Sequence, residues 1–273
     1  MKYTMKFLAY SMIASVALFS SCSELSKDEV ISAGTKSELI SDIDGNTYKT
    51  VIIGEQTWFA ENLRVTHFRN GDPILHITGN YEWFEAGRDG IPAWRYYNDD
   101  PSTAEKYGKL YNGFAVSDPR GLAPKGWRVA GDDDWEKFFI AIGGKMLEPS
   151  PVQVNGDGEF ARNFNNLIIR YGWTFDWKDF NVKFNSENDD ILSVIEASGF
   201  NPVAAGQIDK YGNFYDLGRL TKYWSYPTEK LSFSFPDGSG SEHASITMRS
   251  NPRTASHTIG SAPSGKSVRL VKE

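Results

Sequence analysis

Gly126-Trp127-Arg128-Val129-Ala130-Gly131-Asp132-Asp133-Asp134-Trp135-Glu136-Lys137-Phe138-Phe139-Ile140-Ala141-Ile142-Gly143-Gly144 spells out a helix. Trp135, Phe138, Phe139 and Ile142 follow the i, i+3, i+4, i+7 spacing that gathers apolar side chains on one helical face. The three aspartates ahead of them supply an acidic N-cap and first turn, where unpaired N–H groups and the helix dipole favour negative charge. Gly143-Gly144 stops the helix. Capping accounts for the aspartates, so they are not read as a metal site.

Upstream, Asp44-Gly45-Asn46 is hairpin-turn chemistry, and Tyr48-Lys49-Thr50-Val51-Ile52-Ile53 before Gly54 is a β-branched run that predicts a strand. Asp42-x-Asp44-Gly45-Asn46 also has the start of a calcium loop. The sixth residue of such a loop would be Thr47 rather than Gly, and the twelfth Ile53 rather than a bidentate Glu, so calcium is set aside. Across the 273 residues, 17 Phe, 13 Tyr and 8 Trp with 25 Gly and 12 Pro favour strands and long ordered loops over a helical bundle. A hydrophobic share of 40% supports a core of real size. Thirty-five acidic against 29 basic side chains give a net charge of −6 with no Lys/Arg-rich run, which argues against nucleic acid as a partner.

The N-terminus reads as a targeting segment, residues 1–21. Lys2 and Lys6 precede a mostly apolar run from Phe7 to Phe19, too short to span a bilayer comfortably. Leu18-Phe19-Ser20-Ser21-Cys22 resembles a bacterial lipoprotein cleavage site, with the chain's only cysteine in the acylated position. Cys22 is therefore the expected lipid attachment site and the membrane the expected partner, since two acyl chains anchor where one is marginal. Residues 22–41 are polar from Ser23 onward and read as a tether. Within it Lys27-Asp28-Glu29 resembles the acidic signals that send Bacteroidota lipoproteins to the outer face of the outer membrane. Cell-surface display is expected, with the periplasmic face as the alternative.

Residues 42–273 read as one folded domain. It carries the words Gln56-Thr57-Trp58-Phe59-Ala60-Glu61-Asn62-Leu63, Tyr97-Asn98-Asp99, Tyr107-Gly108-Lys109-Leu110-Tyr111-Asn112 with Ala115-Val116, and Pro124 to Val129 with Asp134-Trp135. Gly199-Phe200-Asn201, Tyr223-Trp224-Ser225 and Ser267-Val268-Arg269-Leu270-Val271-Lys272 follow. In this order they resemble the Fibrobacter succinogenes major paralogous domain, a lipoprotein-borne family. The resemblance is looser near residues 70–95, 145–195 and 230–262. It implies an α+β fold, a C-type-lectin-like mixed sheet with few helices and long loops, related to formylglycine-generating folds. A Gly-Trp turn would lead into the helix and the last strand would close the sheet, with Trp58, Trp127, Trp135 and Trp224 in the core. Many members carry cysteines where this chain has Ala123 and Leu270, an apolar pair able to fill the same space. An arginine common in the family's Gly-Gly-x-Arg-Asp turn is absent from Gly206-Gln207-Ile208-Asp209, so any role it has does not carry over.

Gly260-Ser261-Ala262-Pro263-Ser264-Gly265-Lys266-Ser267 matches the phosphate-loop pattern literally, but that loop must open a helix, and only a terminal strand follows. No nucleotide is expected, and no cofactor is implied. Formylglycine-type chemistry needs reactive cysteines that an acylated Cys22 does not leave. His67, His76, His243 and His257 share no ligand spacing, so they read as surface or loop residues and no metal is expected. No catalytic residue is assigned, although a glycosidase carboxylate pair would be visible only in space. The dense acidic run Asn185 to Asp190 reads as a solvated loop.

Tyr171-Gly172-Trp173-Thr174-Phe175-Asp176-Trp177, taken as a strand, places Tyr171, Trp173, Phe175 and Trp177 on one face. Flat rings roughly 6.5–7 Å apart could stack on neighbouring sugars, and the bland alternative is a core face. Tyr171, Trp173, Trp177 and Trp83 lie in the looser stretches, where binding specificity would sit, and are the candidate ligand-binding residues. Trp94 is ambiguous. The function expected is a non-catalytic, surface-anchored module binding an extracellular glycan or protein. A structural subunit of a surface assembly and a glycan-acting hydrolase are the alternatives.

Overall fold

The computed structural model describes residues 38–142, 145–146, 181–183, 198–226, 242–250 and 253–273. The elements run β1 (Leu39–Ser41), β2 (Thr47–Ile53), β3 (Gln56–Phe59), β4 (Leu75–His76), α1 (Asn80–Arg88), β5 (Ala93–Arg95), α2 (Ala104–Tyr107), β6 (Leu110–Asn112), α3 (Gly113–Ser117), β7 (Trp127–Val129) and α4 (Asp132–Ala141). They continue as β8 (Lys145–Met146), β9 (Asn181–Lys183), β10 (Ala205–Ile208), β11 (Phe214–Leu217), β12 (Leu220–Trp224), β13 (Glu242–Ser250), β14 (Arg253–Ser261), β15 (Gly265–Lys266) and β16 (Leu270–Lys272). This is an α+β fold, rich in sheet and poor in helix. One sheet is ordered β1-β2-β3-β16-β7; the other runs β4-β5-β6-β15-β10-β12-β13-β14-β9-β8, with β11 paired to β10.

The chain's last strand lies inside the first sheet, as expected. Val271 pairs with Trp58 on β3 and with Arg128 on β7. Trp127 (5% exposed) and Trp224 (0%) are both buried, in a cluster that also holds Ala123 and Leu270. The apolar pair therefore fills one region of core.

Helix α4 follows its sequence closely. Trp135, Phe138, Phe139 and Ile142 are buried against Trp58, Phe200 and Tyr223. Trp135 stacks on Tyr223 at 5.2 Å and tilts against Trp58 at 4.9 Å, contacts that add about 0.5–1.5 kcal/mol per pair beyond area burial. The N-cap is Gly131 rather than an aspartate, and the three aspartates occupy the first turn. Asp134 performs the capping: its Oδ2 accepts from the Gly131 N–H at 2.8 Å, while the carboxylate also binds Arg128 and Gln56. Gly143-Gly144 lies outside the described residues.

Two hairpins use one device. In the first, Asp42 Oδ1 accepts from the N–H groups of Asp44 (3.0 Å) and Asn46 (2.9 Å), and Oδ2 from Asn46 Nδ2 and the Tyr48 hydroxyl. In the second, Asp209 Oδ1 accepts from Tyr211 and Asn213, and Oδ2 from Asn213 Nδ2. Both turns read Asp-x-x-Gly-Asn, with Gly45 at φ 78° and Gly212 at φ 89°, a conformation that a side chain disfavours. The Asp42 motif is thus a hairpin staple. It also moves the start of the folded part: Leu39–Ser41, assigned to the tether by sequence, is a strand in register with Thr47–Lys49.

Candidate functional site

Helix α1 sits in the 70–95 stretch, where the family resemblance is looser. Gly79 (φ 108°) turns the chain into it, and Gly87 lets it close on Pro263, whose Cβ would lie 2.7 Å from an added methyl. Trp83, Ala86 and Gly87 face inward; Tyr81, Phe84 and Arg88 face out. Between α1 and β4 this leaves a groove of about 480 Å³. Its apolar lining includes Leu75, Tyr81 and Ile91, which are 48%, 69% and 40% exposed. Glu82, Glu85 and Asp89 form an acidic rim.

At one side of the groove, His76 lies flat on Trp94, with ring centres 4.1 Å apart and planes 11° apart, and Tyr96 meets both edge-on. Burial holds the His76 imidazole below its ordinary pKa, so at neutral pH it presents an uncharged aromatic face. On the rim, Arg88 pairs with Glu85 at 2.7 Å and Asp89 at 2.9 Å, and its hydrogen bonds hold the Asp89 carboxyl below the usual range.

Behind Trp94 lies an unusual amine. Lys109 is 6% exposed, donates to the Arg64 carbonyl, and sits 4.7 Å from the Trp94 ring centre. Desolvation pulls its pKa down to about 8. The folded pKa is then below the unfolded value of about 10.4, so the unfolded chain binds more protons between these limits and stability should rise with pH across that window. Against a Lys109→Met variant, wild type should gain stability from pH 8 to about 10. Parallel urea-unfolding curves over that range would refute the shift.

The sequence-derived candidates divide. Cys22, Tyr171, Trp173 and Trp177 lie outside the described residues. Trp83 is corrected: at 1% exposure it packs with Tyr97, Leu110 and Ile208, Arg95 lies 5.9 Å from its ring, and neither face is open to a ligand. Trp94, at 4%, is core as well. The literal phosphate-loop match is strand rather than loop-to-helix: Gly265–Lys266 pairs with β6 and β10, and Lys266 Nζ lies 3.5 Å from the Trp224 ring centre. His67 pairs with Asp44 at 2.5 Å. Among the described residues no group of His, Cys, Asp and Glu is arranged to hold a metal, and no helix is long and apolar enough to cross a membrane. Sequence reasoning missed the groove, because Leu75, His76, Tyr81 and Ile91 become neighbours only through β4–β5 pairing and the packing of α1.

No curated protein and no solved structure matches the chain. The words along the sequence, the terminal strand inside the sheet and the buried Gly-Trp turn fit one family, whose domain matches residues 51–272: the chain belongs to the Fibrobacter succinogenes major domain family.

Proposed function

We propose that this is a lipid-anchored, non-catalytic surface module that binds an extracellular glycan or protein in the groove between β4 and α1. The observation that carries the reading is the Tyr81 ring, 69% exposed beside exposed Leu75 and Ile91 in a concave site. Apolar surface gathered in a groove rather than scattered marks a place where a partner removes it from water. The rim favours binding over catalysis. A glycosidase acid needs a raised pKa, whereas Arg88 pairs with Glu85 and Asp89 and holds Asp89 ionised.

Two measurements test the proposal. On a glycan and surface-protein array, Tyr81→Ala should weaken binding by roughly 1–3 kcal/mol, by analogy with stacking on exposed aromatic platforms, with little change in melting temperature. Undiminished binding would remove the groove, and Trp173→Ala and Trp177→Ala on the same array would then test the other aromatic row. For the anchor, Cys22→Ala should abolish acyl labelling and release the protein from the membrane fraction. Unchanged labelling would end the lipoprotein reading.

A further inference from the structure

A second cavity, of about 500 Å³, shares no residue with the groove and has a different chemistry. Its wall carries Glu61, Arg64, Glu105, Lys106 and Asn201 around a floor at Asn62 and Gly108. Glu61-Asn62, Gly108 and Asn201 come from three separate sequence words, and Arg269, from a fourth, holds two of them together. Arg269 Nε donates to Asn62 Oδ1 at 2.7 Å, and its Nη atoms donate to the carbonyls of Phe200 and Asn201, each at 2.7 Å. Asn62 Nδ2 in turn donates to the Tyr107 carbonyl at 2.8 Å, tying in the end of α2. Gly108 (φ +75°) closes the floor, since an added Cβ would stand 2.6 Å from the Asn62 Cβ.

We propose that this cleft is a binding site for a neutral saccharide unit. Three observations point there. First, the ionic groups balance: Glu61 and Glu105 against Arg64 and Lys106, with Arg64 bridged to Glu61 at 3.2 Å. A lone cation or anion would gain from one pair and be repelled by the other. Second, the lining holds carboxylate acceptors together with guanidinium, ammonium and amide donors. A sugar hydroxyl both donates and accepts, so neighbouring hydroxyls can satisfy the two kinds together. Third, the wall is pre-shaped. Asn201 is held at φ 48°, a left-handed conformation uncommon outside glycine, while Arg269 fixes its carbonyl and leaves its side chain on the exposed wall. The volume is in the range of small-ligand sites, about 300–1,000 Å³. The site extends the proposed binding role without depending on the groove.

The test is calorimetric titration of the full chain, in a non-glycosidic detergent, with cellobiose, maltose, lactose and diacetylchitobiose. At least one disaccharide should bind saturably. Glu105→Gln and Asn201→Gly should each weaken it about tenfold, the effect of one lost hydrogen bond, with unchanged melting. Asn201→Gly keeps the left-handed backbone accessible and deletes only the amide, so a loss of affinity there is not a folding effect. Both variants are at residues the groove does not contain, so a loss of affinity in them separates this site from the groove. The proposal is overturned if no disaccharide binds, if the two cleft variants bind undiminished, or if a cationic glucosamine dimer or an anionic galacturonate dimer binds more tightly than every neutral one.

Discussion

Arg269→Met should destabilise the domain by about 3–5 kcal/mol, a large part of the roughly 5–15 kcal/mol that holds a typical domain folded. The side chain is 0% exposed, and each of its five N–H donors has a partner. These are Asn62 Oδ1, the carbonyls of Phe59, Phe200 and Asn201, and the Tyr223 hydroxyl at 3.5 Å. Methionine would fill the stem's volume while stranding those acceptors away from water, at about 1–3 kcal/mol for each left unsatisfied. Part of that loss is offset because the buried cation is itself expensive: desolvation pulls its pKa down, and no carboxylate is among its hydrogen-bond partners. Net destabilisation therefore falls well below the sum of the stranded groups. Arg269→Lys should be nearly as damaging, since one ammonium cannot reach acceptors spread around a planar fork. Urea unfolding decides between charge and geometry: a Lys variant as stable as wild type would show that charge alone matters.

What made the fold legible in the sequence was local. Helix α4 states its inner face through Trp135, Phe138, Phe139 and Ile142, and all four are buried. The Asp42 turn states its hairpin, and the same Asp-x-x-Gly-Asn signal at Asp209 to Asn213 marks the β10–β11 hairpin for anyone who looks for the repeat. The terminal strand was readable because its β-branched and apolar residues follow a turn.

The candidate sites were hidden because they are made by distant pairings. Arg269 meets Asn62 and Phe59 across 207 and 210 residues, and nothing in Val268-Arg269-Leu270 announces a buried guanidinium. Alternation puts Arg269 opposite its neighbours, a position that reads as solvent; it leads directly into β16, a strand paired on both sides, and is as buried as Leu270. Trp83 failed in the opposite direction. Its place in a stretch of looser family resemblance suggested a variable, open residue, yet Trp83, Ala86 and Gly87 form the i, i+3, i+4 inner face of α1. The looseness was in the family resemblance, which says nothing about whether a tryptophan on a helix's inner face is exposed.

Trp127→Ala should cost about 3–5 kcal/mol and, at roughly 2–4 °C per kcal/mol for a chain of this size, lower the melting temperature by about 6–20 °C. The indole is 5% exposed and lies 4.6 Å from the Phe59 ring centre, in the cluster that also holds Trp94, Trp224 and Leu270. Its strand is an edge of the five-stranded sheet, joined to the rest only through β16, so the ring carries much of the packing that holds β7 in place. The backbone offers little relaxation into the vacated space. The Trp127 N–H donates to the Pro124 carbonyl at 3.0 Å, and its own carbonyl accepts from Arg69 Nη2 at 3.0 Å, so collapse of the cavity would break at least one of these bonds. A site that cannot collapse sits at the upper end of the cost range. Trp127→Phe, which keeps a ring against Phe59, should recover more than half of the loss. A Trp127→Ala domain melting within about 2 °C of wild type would mean that the Gly-Trp turn is not part of the core.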